Sequence, residues 1–167
     1  MPIIQVDLPQ FSFREAALAA NVSPTQLRNW LDRRQILLDA NMEREDASWR
    51  KFSILDVLRI AFVSKLAGFT SIVTASELVE STMLYPAQCL RSFEKAPASV
   101  LEIAYKFIKY VIYNDGENIA IGSGHTSIVD EQIADEVRHG ACTFLVILPG
   151  PIVRKIVENL GLNEADE

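Results

Sequence analysis

Thr25, Gln26, Arg28, Asn29 and Arg33 crowd one short stretch of the chain, SPTQLRNWLDRR, residues 23–34. Their side chains suit recognition rather than bond-making. Arginine carries a planar fork of donors that fits either guanine or a phosphate, and a carboxamide can read adenine with a donor and an acceptor. Thr25, near the start of any helix beginning at Pro24, can reach a phosphate at the helix's positive end. Arg33, with Arg50 and Lys51 further along, is better suited to backbone phosphate, which gives affinity and salt dependence but no sequence information.

Other residue types offer less chemistry. His125 lies in GSGHTS and His139 next to Gly140, and neither has a nucleophile or orienting partner marked in the sequence. The Gly122-Ser123-Gly124 run lacks the lysine and the strand–loop–helix setting of a phosphate loop. Cys89 and Cys142 are far apart and match no metal-ligand spacing; two lone cysteines suit a reducing compartment. The reading is therefore of no enzyme, no metal and no cofactor. With no basic-then-apolar leader and no apolar run of roughly 18 residues, the expectation is a cytoplasmic protein that does not enter a membrane.

Charge divides the chain. Net charge is -6 over 167 residues. Residues 1–70 hold nine basic and eight acidic side chains, and residues 71–167 hold seven basic and fourteen acidic. Only the first part, at +1, is suited to meet a polyanion; the second, at -7, is suited to a basic partner.

The candidate contacts need elements to hold them. Ser12-Phe13-Arg14-Glu15, Ser23-Pro24-Thr25-Gln26 and Ser53-Ile54-Leu55-Asp56 each place a hydroxyl three residues before a carboxylate or amide, the signature of a capped helix start. A first helix is expected over about 13–20, with Asn21 in a left-handed turn and Val22 plugging the corner. In the second helix Leu27, Trp30 and Leu31 share an apolar face, which turns Thr25, Gln26, Arg28, Asn29, Asp32 and Arg33 outward. The segment 35–53 brackets a polar tip, 41–47, with apolar residues and reads as a two-stranded wing, with Trp49 and Phe52 pinning it. A third helix should start near Ile54 and stop at Gly68, and a fourth should span about 73–84 before Pro86, with a shorter helix to about Lys95.

From Ala98 the texture changes. VLEIAYKFIKYVIYND is rich in β-branched and aromatic residues and reads as a strand, although 101–107 could equally open as helix. NIAIGSG reads as its hairpin return, SIVDEQIADEVRHG as a helix, CTFLVILPG as a buried-type strand and PIVRKIVENLG as a helix from Pro151 to Gly161. The strand FLVILP either lies central in its own sheet or is covered by a second subunit. The fold class expected is α+β. Residues 1–77 form one unit, 78–97 a helical linker, and 98–167 a small α+β unit for dimerisation or partner binding.

From about Phe11 to Glu77 the chain resembles the MerR-type winged helix-turn-helix domains. The residues are Arg14-Glu15-Ala16-Ala17, Asn21-Val22-Ser23, Leu27-Arg28-Asn29-Trp30, Trp49-Arg50-Lys51-Phe52-Ser53 and Leu66-Ala67-Gly68-Phe69. The resemblance implies a second helix in the major groove of double-stranded DNA, with Arg28 and Asn29 as contacts and Arg50 and Phe52 in the wing. Asn29 and Trp30 stand where that family usually has aromatic hydroxyls, and Pro86 and Pro97 interrupt the long helix through which typical members dimerise. The function so implied is a bacterial or phage transcriptional regulator acting as a homodimer, with RNA polymerase or another protein as a further partner through the acidic part. An architectural or recombination factor, or a protein-interaction module, is the alternative.

Overall fold

A computed structural model describes residues 3–38, 51–93, 95–114, 119–138 and 143–162. The chain is a mixed α+β protein. β1 (Ile3–Ile4) and β2 (Phe11–Ser12) precede α1 (Phe13–Ala19) and α2 (Pro24–Asp32); β3 (Lys51–Phe52) then leads into α3 (Ile54–Leu66). Each helix start is set by its serine. Ser12 Oγ accepts from the Glu15 N–H while Glu15 Oε2 accepts from the Ser12 N–H at 2.7 Å, and Ser53 and Asp56 repeat that exchange. Ser23 Oγ accepts from the Gln26 N–H at 3.1 Å, with Pro24 in the first turn.

The corner between α1 and α2 is closed by Asn21, which takes φ 55°, a left-handed value that asparagine tolerates. Behind it the Val22 N–H reaches back to the Ala17 carbonyl at 2.9 Å, and Val22 is buried. Arg34 repeats the device at the end of α2, with φ 53° and the Gln35 N–H bonded to the Trp30 carbonyl.

α3 is the centre of the molecule. Eleven of its thirteen residues are buried, so it is enclosed on nearly every side rather than on the single face that the spacing suggests. α1, α4 (Ile72–Leu78) and α8 (Pro149–Asn159) pack on it, and the Leu55 N–H bonds to the Val6 carbonyl at its start. Its end differs from expectation: Gly68 is not left-handed, and the turn closes through the Phe69 and Thr70 N–H groups on the Leu66 carbonyl. Gly161, the expected stop of α8, does take φ 66°.

Buried within this core is a charge network that the sequence did not announce. Arg59, 2% exposed, donates from Nη1 to Asp56 Oδ1 at 3.1 Å and from Nε to Glu80 Oε2 at 2.9 Å. Glu80 lies in a π-helical turn, Val79–Met83, that continues α4. That turn runs on into α5 (Tyr85–Gln88), so Pro86 sits inside the first turn of a helix rather than ending one. Segment 78–97 is helical for most of its length, but Val79, Met83, Leu84, Ala87 and Leu90 belong to the core. β4 (Ala96–Pro97) pairs antiparallel with β1, tying the start of the chain to this region. One continuous apolar cluster runs from Ile4 to Val157.

The open alternative after Ala98 resolves as both elements in turn. α6 (Ala98–Lys106) comes first and β5 (Ile108–Asn114) follows, then β6 (Ile119–His125), α7 (Thr126–Arg138), β7 (Thr143–Ile147) and α8. The sheet order is β6-β5-β7, all neighbours antiparallel. Alternation along β5 sends Tyr110 and Ile112 into the main core and turns Val111 toward α7, where Val129 is buried. Lys109 Nζ, on the α7 side, meets Asp130 Oδ1 at 2.6 Å.

Among the described residues β7 pairs with β5 alone, so FLVILP lies at an edge and not in the middle of the sheet. α7 packs over β5 and β6. Val146, opposite Val111 in register, is left 44% exposed and Leu148 52%.

Two buried phenols give the fold a pH dependence. Tyr105 donates to the Met83 carbonyl at 2.9 Å, and burial pushes its phenol upward; burial also pushes Tyr110 up to about 12. The unfolded chain releases a tyrosine proton near pH 10. Stability from keeping Tyr110 protonated is therefore complete below about pH 10 and is lost as pH rises toward about 12. Thermal unfolding between about pH 9 and 11.5 should fall more steeply for the natural chain than for Tyr110→Phe. Parallel slopes would remove Tyr110 as a source.

Candidate nucleic-acid interface

Leu27 and Trp30 are buried and Leu31 half-buried, so α2 is fixed by its apolar face. Thr25, Gln26, Arg28, Asn29, Asp32 and Arg33 are all exposed on the other side, with Arg34 next to them. The outward set expected from the 3.6-residue period is thus brought together on one helix.

Arg28 is not a loose side chain. Its guanidinium carbon lies 5.8 Å from the centroid of the Phe13 ring, which in turn meets Phe52 edge-on at 6.1 Å. Phe13 reads in the sequence as one more apolar residue of the first helix; its part as a shelf for Arg28 depends on how α1 meets α2 and has no local signal. The stack limits the rotamers of Arg28 while leaving its donors at the surface.

Lys51 reaches the same neighbourhood by another route. β3 pairs with β2 so that Lys51 lies opposite Ser12, the residue capping α1. Glu15, in the first turn of α1, has its carboxyl held below its ordinary pKa, chiefly by the Ser12 hydrogen bonds and to a lesser degree by Lys51. Its charge is already engaged in the cap, so it does not cancel the nearby cations in full. Arg14 is also exposed in that turn.

Among the described residues Arg14, Arg28, Arg33, Arg34 and Lys51 make no ion pair with a carboxylate. Exposed basic side chains that no described carboxylate pairs with form a surface that can neutralise an external anion. Arg59, counted with them in the charge of residues 1–70, is withdrawn by Asp56 and Glu80. Arg50, Trp49 and the expected wing tip, 41–47, lie outside the described residues. So do His139 and Cys142, while His125 stacks on Phe107 with ring centroids 6.1 Å apart.

Among the described residues no three His, Cys, Asp or Glu side chains come together as metal ligands, and no helix is long and apolar enough to cross a membrane. A scan of the chain against protein-family models gives no match, and a comparison with curated proteins gives none either.

Proposed function

We propose that this protein is a cytoplasmic transcriptional regulator that binds a specific sequence in double-stranded DNA as a homodimer. In this reading residues 11–77 act as a MerR-type winged helix-turn-helix. The observation that carries it is the exposed face of α2, where Arg28 rests on Phe13 and no described carboxylate pairs with the clustered basic side chains. Arg28 and Asn29, with Gln26, read base edges; Thr25, Arg33, Arg50 and Lys51 hold phosphates. The acidic remainder of the chain is the surface offered to RNA polymerase or another protein partner.

Homodimerisation is supported by β7. This edge strand carries no charged residue in TFLVI, and edge strands without charges, prolines or cover readily pair with another chain. Antiparallel pairing of two β7 strands about a two-fold axis would extend the sheet and set two copies of α2 in a fixed spacing. Val146→Glu should give a monomer by light scattering after size exclusion, with binding to a two-half-site duplex weakened by at least about tenfold. A variant that stays dimeric would place the interface elsewhere.

Selection from a random duplex library, followed by binding at several salt concentrations, tests the proposal directly. The expected result is a palindromic motif with half-sites about 34 Å apart or a multiple of it. No enriched motif, together with no retarded complex at physiological salt, would overturn it. Strong bending of the selected DNA without any change in promoter output would instead favour an architectural role.

A further inference from the structure

The first two turns of α8 and one face of α6 enclose a cleft of about 390 Å³, lined by Ser99, Glu102, Ile103 and Lys106 from α6 and by Pro151 and Arg154 from α8. Gly150 lies where the two helices meet: a Cβ there would be in ordinary contact with the Tyr105 carbonyl oxygen at 3.4 Å and with Lys106 Cα at 3.6 Å. The α6 residues stand at i, i+3, i+4 and i+7, so they form a single stripe along the helix. Within that stripe Ile103 is 62% exposed, an apolar floor with polar groups around it.

The charges are ordered asymmetrically. Glu102 Oε2 lies 3.4 Å from Arg154 Nε, so the carboxylate engages the side of the guanidinium. Among the described residues Glu102 is the only carboxylate paired with Arg154, whose side chain is 64% exposed, and Lys106 makes no ion pair; its Nζ sits 5.3 Å from the Phe107 ring centroid. A guanidinium carries five N–H donors, more than one carboxylate can use, so Arg154 can serve a second carboxylate beside Glu102. The start of α8 has no side-chain cap, so the N–H groups of Gly150 and Ile152, between and after two prolines that have none, are what it offers to negative charge at this end of the cleft.

We infer that this cleft binds a small organic acid, with the carboxylate between Arg154 and Lys106 and the apolar body on Ile103 and Pro151. The Ser99 hydroxyl can donate to or accept from a hydroxyl on that body, and the Glu102 carboxylate can accept from a hydroxyl or amine. The volume falls within the ordinary range of small-ligand sites, about 300–1,000 Å³. The inference is independent of DNA binding, because neither residue pair belongs to the α2 surface.

Titration of the full-length ¹⁵N-labelled protein with benzoate, benzyl alcohol and inorganic phosphate tests it. Benzoate should give saturable shifts centred on Ser99, Ile103, Gly150 and Arg154, and benzyl alcohol and phosphate should not. Arg154→Gln should weaken benzoate about tenfold or more, the scale of one charge-assisted hydrogen bond, with the remaining spectrum unchanged. Lys106→Gln should weaken it by a similar factor and serves as the second variant. Phosphate shifts equal to those of benzoate would reveal a bare anion site and overturn the assignment. So would the absence of saturable shifts, or affinity that neither variant alters.

Discussion

Arg59→Ala is expected to lower the free energy of unfolding by about 3–5 kcal/mol, the range found when one partner of a buried ion pair is removed. The Asp56 side chain is 9% exposed, and without Arg59 its Oδ1 would lose the guanidinium while remaining in the core. Asp56 Oδ2 keeps the Ser53 N–H and hydroxyl, each at 3.0 Å, so the helix cap survives. Glu80 is 41% exposed and can turn toward water, which limits its own contribution. Glu80→Gln should therefore be milder than Arg59→Ala. Urea unfolding followed by circular dichroism gives both values. An Arg59→Ala midpoint close to that of the natural chain, with an unchanged slope, would mean that the network does not hold α3 to the turn at 79–83.

The second large effect concerns recognition. Arg28→Ala should raise the Kd for the selected duplex by roughly 10–100-fold, corresponding to about 1–3 kcal/mol for one two-pronged base contact. If Arg28 reads guanine, the loss is confined to one base position and the salt slope is nearly unchanged; if it grips phosphate, all sequences weaken and the slope falls by about 1. Lys51→Ala should behave in the second way. Stability should change little, because Arg28 is exposed and its stacking on Phe13 contributes about 0.5–1 kcal/mol. Unchanged affinity together with unchanged salt slope would remove Arg28 from the interface.

Much of the local architecture is legible in the chain itself. The serines at 12, 23 and 53 cap helices through their own short-range geometry, and Asn21 takes the one backbone region where asparagine has an advantage over most residues. Leu27 and Trp30 point inward because helical periodicity requires it once any core exists beneath them.

What could not be read is non-local. Arg59 and Glu80 are 21 residues apart, and only the packing of the 79–83 turn on α3 brings them together. The break between α6 and β5 falls inside LEIAYKFIKYVIY, where β-branched and aromatic residues run through and suit either state, so tertiary contact decides it. Whether FLVILP is central or peripheral depends on strand order, which no strand encodes by itself. The shelf under Arg28 and the cleft between α6 and α8 are likewise products of helices meeting.

The single unbroken interior has a bearing on how this protein could be cut or recombined. A fragment ending at Glu77 would keep the corner of α1 and α2 but strip α3 of α8 and of the 79–83 turn. Uncovered aliphatic surface of that kind drives precipitation rather than independent folding. Grafting the first half onto another protein would thus require carrying α8 along. By the same token, a lesion near the end of the chain would be felt at its beginning.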